Sequence, residues 1–263
     1  MINSLIAFSH TLKALGQDLA DRDHEPETPW MRFAIEGSPV VLHVGASTGR
    51  HAFALLKALP GARIHAVEPA SFHITVLKQG IAMRGLQNRI EVIHAAASDQ
   101  PGEMTLVTPR KTTGKRARSF AFISDSSVAR PDFQGDGFFK ETVKVIRLDD
   151  LGLPKVDFIR MDIEGAEHAA LKGAMGIIDR DLPNALIEIH PHILRENFGT
   201  SPEAVEQIFR SRGYRVFAIG EAGVEERASF DTDRRFQDFF LLHPSKPLPD
   251  GAFKDLMAAP PKV

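Results

Sequence analysis

Short runs of β-branched and other apolar residues alternate with helical stretches from residue 39 onward, and this alternation limits the fold more than any other feature of the chain. Parallel strands need a crossover between them, usually a helix, so the pattern is typical of βαβ units. We therefore expect an α/β fold with a mostly parallel sheet. Its predicted strands cover residues 40–44, 62–67, 89–95, 156–161, 184–190, 214–219 and 236–243.

The alternation is interrupted between residues 102 and 148, in a part of the chain that is polar, basic and glycine-containing. Two segments there, residues 104–108 and 142–148, predict strands that flank a loop. The pattern divides the chain into three parts. They are an N-terminal helix and linker over residues 1–38, a main domain over 39–243 with a basic loop inserted at 109–141, and a Pro-rich tail over 244–263 that we expect to lack regular structure.

The N-terminal segment predicts an amphipathic helix over residues 2–19, because apolar residues recur at intervals of three and four along one narrow seam. A seam this short seldom forms an independent coiled coil, so packing against the main domain is favoured over a homodimer through this helix. Residues 21–29 are acidic and contain proline, which indicates a linker. The apolar seam consists of Ile2, Leu5, Phe8, Leu12, Leu15 and Leu19.

Composition excludes several classes of protein. The chain of 263 residues has no cysteine, which excludes disulfides, thiolate zinc sites and cysteine nucleophiles. Its net charge of −2 excludes a globally basic protein, so we expect no nucleic-acid partner. No apolar run approaches the 18 or so residues of a membrane span, and the N-terminus lacks the basic region of a signal peptide. We therefore expect a cytoplasmic protein.

The turn after the first predicted strand carries the strongest local signal. Glycines at 45 and 49 allow close approach of a ligand to the backbone, and Glu68 ends the second strand at the distance typical of a ribose-binding acid. The alternative is an ordinary strand-to-helix turn. The G-x-x-x-G spacing favours a nucleoside cofactor without a pyrophosphate, and a short-chain dehydrogenase is excluded because Tyr214, the only tyrosine, has Ala218 where such enzymes have lysine.

Two further groups of polar residues follow the fourth and fifth parallel strands, where open α/β sheets place their active sites. Asp162 and Glu164 follow one strand, and Glu188 and His190 share one face of the other. We predict that His190 is a general base and that Asp162 orients it or the acceptor, with Glu188 alongside. Asp162, Glu188 and His190 could also hold a divalent ion, but no dedicated ligand spacing favours a metal.

Together these motifs resemble the FkbM-type S-adenosylmethionine-dependent methyltransferases. The resemblance spans about residues 40–191, and its most specific part is the Asp-Ile-Glu-Gly-Ala-Glu block at 162–167. It implies a Rossmann-like class I methyltransferase fold with a seven-stranded sheet and methyl transfer to a hydroxyl, commonly of a sugar, glycolipid or polyketide-type product. The other matching segments are the glycine turn, Glu68-Pro69, residues 95–99, residues 148–151 and residues 188–190.

The resemblance also assigns residues to S-adenosylmethionine. The family usually has an acidic residue at the position of His43, where it helps to hold the amino group of the cofactor, so His43 is a departure. The assigned residues are His43, Gly45, Ala46, Ser47 and Gly49 for the methionine part, Glu68 for the ribose, Ser98 and Asp99 near the adenine, and Asp162 between cofactor and acceptor.

The acceptor is narrowed by what the chain lacks. It has no Asn/Asp-Pro-Pro-Tyr motif for amino methylation and no cysteine for pyrimidine methylation, so an oxygen acceptor remains. We assign Glu164, Arg110 and Arg118 to acceptor binding. The two arginines lie in the basic loop, which suits an anionic sugar or glycan precursor. The alternative function is a catalytically silent nucleoside-binding or scaffold domain, which His43 and the N-terminal helix would suit.

Overall fold

The computed structural model describes residues 8, 9, 12, 27–109, 122–124, 138–220, 223–230 and 233–260. The strands are β1 (Val40–Val44), β2 (Arg63–Glu68), β3 (Ile90–His94), β4 (Ala96–Ala97), β5 (Gly102–Pro109), β6 (Phe122–Ser124), β7 (Phe138–Ile146), β8 (Phe158–Met161), β9 (Asn184–Ile189), β10 (Arg215–Gly220), β11 (Gly223–Arg227) and β12 (Gln237–Leu242). The helices are α1 (Thr28–Ala34), α2 (Arg50–Ala58), α3 (Ser71–Met83), α4 (Glu167–Lys172), α5 (Met175–Asp181), α6 (Pro191–Phe198), α7 (Pro202–Arg210) and α8 (Ala252–Ala258).

The main sheet has the order β11-β10-β12-β9-β8-β1-β2-β3. Its five strands from β3 to β9 are parallel, and β12, β10 and β11 are each antiparallel to their neighbours. This confirms the Rossmann-like class I fold with a mostly parallel sheet. The sheet has one strand more than the predicted seven, because β11 folds back antiparallel to β10. The strand order reverses between β1 and β8, which opens a crevice at their carboxyl ends.

Strand alternation divides the core between the two faces of this sheet. Leu42 and Ile159 pack in the cluster that also includes side chains of α4, α5, α6 and α7. Their neighbours Val41 and Phe158 pack in a second cluster with side chains of α1, α2, α3 and α8. Helices therefore cover both faces, as the sequence predicts, and the crevice opens at the edge between these layers.

The interruption of the alternation forms a second, smaller sheet of order β4-β7-β5-β6. β5 and β7 pair antiparallel from Gly102 opposite Val145 to Pro109 opposite Phe138, which confirms the two predicted strands. Buried Leu106 and Val143 belong to its own small apolar cluster. The remainder of the basic loop lies outside the described residues.

Two expectations about the chain ends need correction. The tail from residue 244, which we expected to lack regular structure, contains α8. Phe253 on this helix is fully buried, and its ring centre lies 4.8 Å from that of Phe240. Packing of this one aromatic side chain orders a segment whose Pro-rich composition predicts a loop. The predicted linker contains the start of α1, whose Met31 is buried. Residues 8, 9 and 12 are helical, but most of the predicted N-terminal helix lies outside the described residues.

Within the described parts of the chain, no helix combines the length and apolarity needed to cross a membrane. The longest of them, α3, has 13 residues.

Candidate active site

The turn after β1 packs directly against the end of β8. The backbone N–H groups of Gly45 and Ala46 donate to the carbonyl of Val67 on β2, at 2.9 and 3.1 Å. Gly45 has a φ of +82°, and a Cβ atom there would lie only 1.9 Å from the carbonyl oxygen of Asp162. Glycine is therefore required at residue 45 by both its backbone conformation and this close approach.

Glu68, at the end of β2, is 4% exposed and holds the glycine turn in place. One carboxylate oxygen accepts a hydrogen bond from the backbone N–H of Ser47 at 2.8 Å, and the other accepts from Ala70 N–H at 2.9 Å. The second oxygen also lies 3.1 Å from Nδ1 of His73. The structure thus brings the predicted ribose-binding carboxylate to the predicted cofactor turn, along with the start of α3. Gly49, at the end of the turn, immediately precedes α2.

Ser98 and Asp99 follow β4 at the same edge of the sheet. The nearby Ala95 N–H donates to the carbonyl of Glu68, so this segment adjoins the end of β2. The hydroxyl of Ser98 donates to Asp99 at 3.3 Å, and the carboxylate of Asp99 pairs with Lys172 of α4. The hydrogen bond from Lys172 lowers the pKa of Asp99, so this carboxylate is ionised at neutral pH.

His43, near the end of β1, is 1% exposed and lies beside Arg160 of β8 in the sheet register. Burial, followed by the charges of His51 and Arg160, holds the pKa of His43 well below its usual range, so its imidazole is neutral. Its Nε2 atom has no hydrogen-bond partner among the described residues. A buried polar atom without a partner is costly, so this site is suited to a polar group of a ligand.

Asp162, Glu164, Glu188 and His190 meet at the carboxyl ends of β8 and β9. Nε2 of His190 lies 3.0 Å from Glu188, 3.6 Å from Glu164 and 4.0 Å from Asp162, measured to the nearest carboxylate oxygen. Glu164 adopts a left-handed backbone conformation, with φ of +53°, in the turn between β8 and α4. The structure therefore brings together the three residues predicted to be catalytic and Glu164, which we assigned to the acceptor.

Crowding of carboxylates gives this cluster unusual proton affinities. Burial, reinforced by the charge of Glu188, raises the pKa of Asp162 to about 7, although Arg160 opposes the change. For His190, burial acts to lower the pKa, but the carboxylates of Glu188 and Glu164 outweigh it and raise the pKa to about 9. At neutral pH His190 therefore carries a proton, whereas Asp162 can exchange one.

The turn after β8 is held by hydrogen bonds to Glu167. These bonds explain the position of its carboxylate better than the dipole of the helix that follows. Its fully buried carboxylate accepts hydrogen bonds from the backbone N–H groups of Gly165 at 3.0 Å and Ile163 at 3.3 Å. Burial raises the pKa of Glu167 to about 7. Its role in the described structure is to shape the turn that presents Asp162 and Glu164.

Sequence reasoning missed three residues at this site. Glu27, just before α1, and Asp238, on β12, both approach the guanidinium of Arg160, at 3.8 and 3.6 Å. Asp238 interrupts an apolar strand, which was a usable signal, whereas nothing near Glu27 indicated its position. Phe236 is 52% exposed, and its ring centre lies 5.7 Å from that of His190, so it borders the crevice.

Asp162, Glu188 and His190 offer three donor atoms that all lie within 4.8 Å of one another. A divalent ion among them would sit near the guanidinium of Arg160, whose Nη2 is 3.8 Å from Glu188 and 4.0 Å from Asp162. Since Arg160 already supplies positive charge there, the donor set suits a metal poorly. Arg110 and Arg118, which we assigned to the acceptor, lie outside the described residues.

Comparisons with known proteins agree with these motifs. The family model of the Methyltransferase FkbM domain matches residues 43–216. The methyltransferase sdnD of Sordaria araneosa is 23% identical over 235 residues, which cover 76% of this chain and 83% of that protein. A solved FkbM methyltransferase from Methylobacillus flagellatus is similar with a TM-score of 0.49 and 19% identity, over 78% of this chain.

This chain spans only 43% of that Methylobacillus protein. A solved O-methyltransferase from Bacillus cereus, in complex with SAH, is similar with a TM-score of 0.45 and 14% identity, over 89% of this chain and 90% of that one. The family match covers well over half of the present chain and includes the glycine turn, Glu68 and the cluster around Asp162. The chain belongs to the FkbM family of S-adenosylmethionine-dependent methyltransferases.

Proposed function

We propose that this protein transfers a methyl group from S-adenosylmethionine to a hydroxyl of a sugar, a glycan precursor or a related small molecule. One observation carries the proposal. The glycine turn after β1 lies directly against the residue that carries the proton-exchanging carboxylate, since the backbone of Gly45 packs against that of Asp162. A cofactor bound on the turn and an acceptor held by the cluster would therefore lie side by side.

The residues around the turn fit S-adenosylmethionine. Nε2 of His43 is buried and without a partner, so it can receive a polar group of the methionine part. Glu68, which contacts the turn, would bind the ribose, and Ser98 and Asp99, at the same edge of the sheet, would bind near the adenine. When bound, S-adenosylmethionine supplies a methyl group on a positively charged sulfur. The carboxylates at the end of β8 and β9 favour a cationic centre in the crevice.

Methyl transfer to a hydroxyl requires a group that takes the hydroxyl proton as the new carbon–oxygen bond forms. Asp162 is suited to that role, because a pKa of about 7 leaves it able to accept a proton near neutral pH. The protonated His190 then orients the acceptor or stabilises the developing charge, with Glu188 holding its ring at 3.0 Å. This exchanges the roles that the sequence suggested for Asp162 and His190.

The charge of the cluster bears on the acceptor. Four carboxylates lie within 4.0 Å of Arg160, so an anionic group at the reacting atom would be repelled. A neutral hydroxyl suits this end of the crevice. An anionic group elsewhere on the acceptor could be bound by Arg110 and Arg118 of the basic loop. A cytoplasmic location, which sugar nucleotides and glycan precursors would suit, remains a prediction from the sequence.

Calorimetric titration of the folded protein with S-adenosylmethionine tests the proposal first, because it needs no acceptor. We expect saturable binding, followed by transfer of a labelled methyl group to a hydroxyl in a panel of neutral and phosphorylated sugars and glycosides. Absence of binding by folded protein would contradict the proposal and favour the silent scaffold domain. The specific observation behind that alternative is His43, a neutral imidazole where the family usually has an acid.

A further inference from the structure

Arg160 is an unusual residue to find inside this sheet. It lies on β8, two residues before Asp162, and is 1% exposed. Residues two apart on a strand share a face, so its side chain extends toward the crevice on the same side as that of Asp162. Lone buried charges are strongly unfavourable, and a buried arginine therefore needs compensating groups close by.

Four carboxylates provide that compensation. Nη2 of Arg160 lies 3.6 Å from Asp238 and 3.8 Å from both Glu27 and Glu188, and 4.0 Å from Asp162. These residues come from the segment before α1 and from β8, β9 and β12. Asp238 and Glu188 are also direct neighbours in the sheet register, a placement that is unfavourable for two like charges. The guanidinium offsets part of this repulsion, but burial and the neighbouring acids still raise the pKa of Asp238 to about 8.

Arg160 lies at similar distances from all four carboxylates and does not form a close ion pair with any one of them. Its Nη1 donates to the carbonyl of Met161 at 2.9 Å, which anchors the guanidinium to the strand. Its Nε and Nη2 atoms make no hydrogen bond to the described residues. The carboxylates therefore keep oxygen atoms free for other partners, in contrast to a bidentate arginine pair.

Exposure separates the four carboxylates into two kinds. The side chains of Asp162 and Glu188 are 24% and 16% exposed, so they open onto the crevice. Glu27 is 2% exposed and faces the protein, where its carboxylate also lies 3.4 Å from His51. Asp238, at 15%, is exposed to nearly the same extent as Glu188, its neighbour in the sheet register. Arg160 thus links groups that open onto the crevice to Glu27, which does not.

We propose that Arg160 is a positioning residue for methyl transfer, which holds the carboxylates of Asp162 and Glu188 at the crevice and keeps them ionisable, with Glu27 and Asp238 as its remaining counter-ions. This inference rests on the proposed function, because it assumes that Asp162 acts on the acceptor. The alternative is a purely structural ion cluster. The other titratable groups around it are the neutral His43, beside Arg160 in the register, and Glu164, Glu167 and His190 near Asp162.

The test compares Arg160→Met with Arg160→Lys and with Arg215→Met. Arg215 is a matched control, since it is also buried and ion-paired, but with Glu226 on β11, away from the crevice. The readout is the pH titration of the Asp162 carboxyl group, followed by carbon-13 NMR in the protein without cofactor and assigned with Asp162→Asn. Loss of the guanidinium in Arg160→Met should make Asp162 bind its proton about tenfold more tightly.

Arg160→Lys keeps the charge, so the titration should return most of the way to that of the wild type, and Arg215→Met should not move it. If Arg160→Met does not fold, the triple variant Arg160→Met, Glu27→Gln, Asp238→Asn removes the guanidinium together with two of its buried counter-ions. Asp162 should still bind its proton more tightly there, but by less than in Arg160→Met alone, because the loss of two neighbouring acids acts in the opposite direction. An Asp162 titration equal to that of Arg215→Met would overturn the proposal, as would failure of both variants to fold.

The two proposals can fail separately. Calorimetry with S-adenosylmethionine on the wild-type protein tests the function, whereas the titration of Asp162 needs no cofactor. If the wild type binds S-adenosylmethionine and the titration is insensitive to Arg160→Met, only the positioning role is wrong. If the titration responds but the wild type binds no cofactor, the proposed function is wrong and Arg160 controls Asp162 for some other chemistry, which also overturns its role in methyl transfer.

Discussion

Two carboxylates at the same edge of the sheet are held in opposite ways. Glu68, at the end of β2, accepts hydrogen bonds from two backbone N–H groups, one in the glycine turn and one at the start of α3. Asp162, just beyond β8, faces other carboxylates and a shared guanidinium, and burial raises its pKa to about 7. Backbone donors hold a carboxylate in one position, whereas burial beside like charges favours a carboxylate that takes up a proton.

This difference suggests a division of labour along the crevice. The end near Glu68 forms a fixed frame, because the Glu68 carboxylate accepts hydrogen bonds from the backbone of both the glycine turn and the segment before α3. The end near Asp162 crowds several acidic groups around Arg160 and His190, so Asp162 can take up and release a proton near neutral pH. A methyltransferase needs both properties, a fixed seat for the cofactor and an adaptable group beside the acceptor.

The largest effect should come from Asp162→Asn. The amide cannot take the hydroxyl proton, so turnover should fall by about 10²- to 10⁴-fold, whereas S-adenosylmethionine affinity should change by less than about tenfold. Asp157→Asn is the matched control, since Asp157 lies at the opposite end of β8 and accepts from Val40 N–H. Initial rates with labelled methyl donor and the acceptor found in the panel measure the effect. Undiminished turnover would show that Asp162 does not take the hydroxyl proton and has a structural role, like Glu68.

Glu68→Gln should give the next largest effect, on binding. Both carboxylate oxygens of Glu68 accept hydrogen bonds from backbone N–H groups. In glutamine one of these oxygens is replaced by an NH2 group, which would face an N–H donor and lose that hydrogen bond. We expect S-adenosylmethionine affinity to fall about tenfold or more, as measured by calorimetry. Glu91→Gln, at an exposed carboxylate on β3, should leave the affinity unchanged. Equal affinities for the two variants would show that the frame does not depend on Glu68.

The third effect is on stability against pH, and it sharpens the contrast at the Asp162 end. The pKa values of Asp162, Asp238 and His190 in the folded protein are raised to about 7, 8 and 9. The folded state therefore holds more protons than the unfolded state, and the free energy of unfolding should fall as pH rises from about 6.5 to 9. Urea denaturation across that range checks this. Asp238→Asn should flatten the part of the curve below about pH 8.

The sequence predicted the positions of the glycine turn and Glu68 better than it predicted which charged groups surround Asp162. The glycine turn, Glu68 and the strand ends that carry Asp162 and His190 are local patterns, because strand alternation and turn chemistry act between neighbouring residues. The meeting of these strand ends follows from the rule that parallel strands present their carboxyl ends at one edge. Those parts of the site could therefore be located before any coordinates were available.

The partners of Arg160 could not be located in the same way. Glu27 lies 133 positions from Arg160 along the chain and approaches it only because α1 packs beside α2 and α8, which the sequence did not reveal. The raised pKa of Asp162 is likewise a property of the assembled cluster. The helix α8 was missed because a single buried residue, Phe253, and the carbonyl contacts of Arg215 hold it rather than a long apolar pattern.

Trp30, the chain's only tryptophan, lies on α1 against Phe253 of α8, with ring centres 6.4 Å apart. Its backbone N–H donates to the carbonyl of Glu27, the residue whose carboxylate approaches Arg160. The protein thus carries one indole fluorophore, one turn of helix away from its buried ion cluster. The fluorescence emission of Trp30 therefore reports, without a label, whether α1 keeps its packing against α8 when a ligand binds in the crevice.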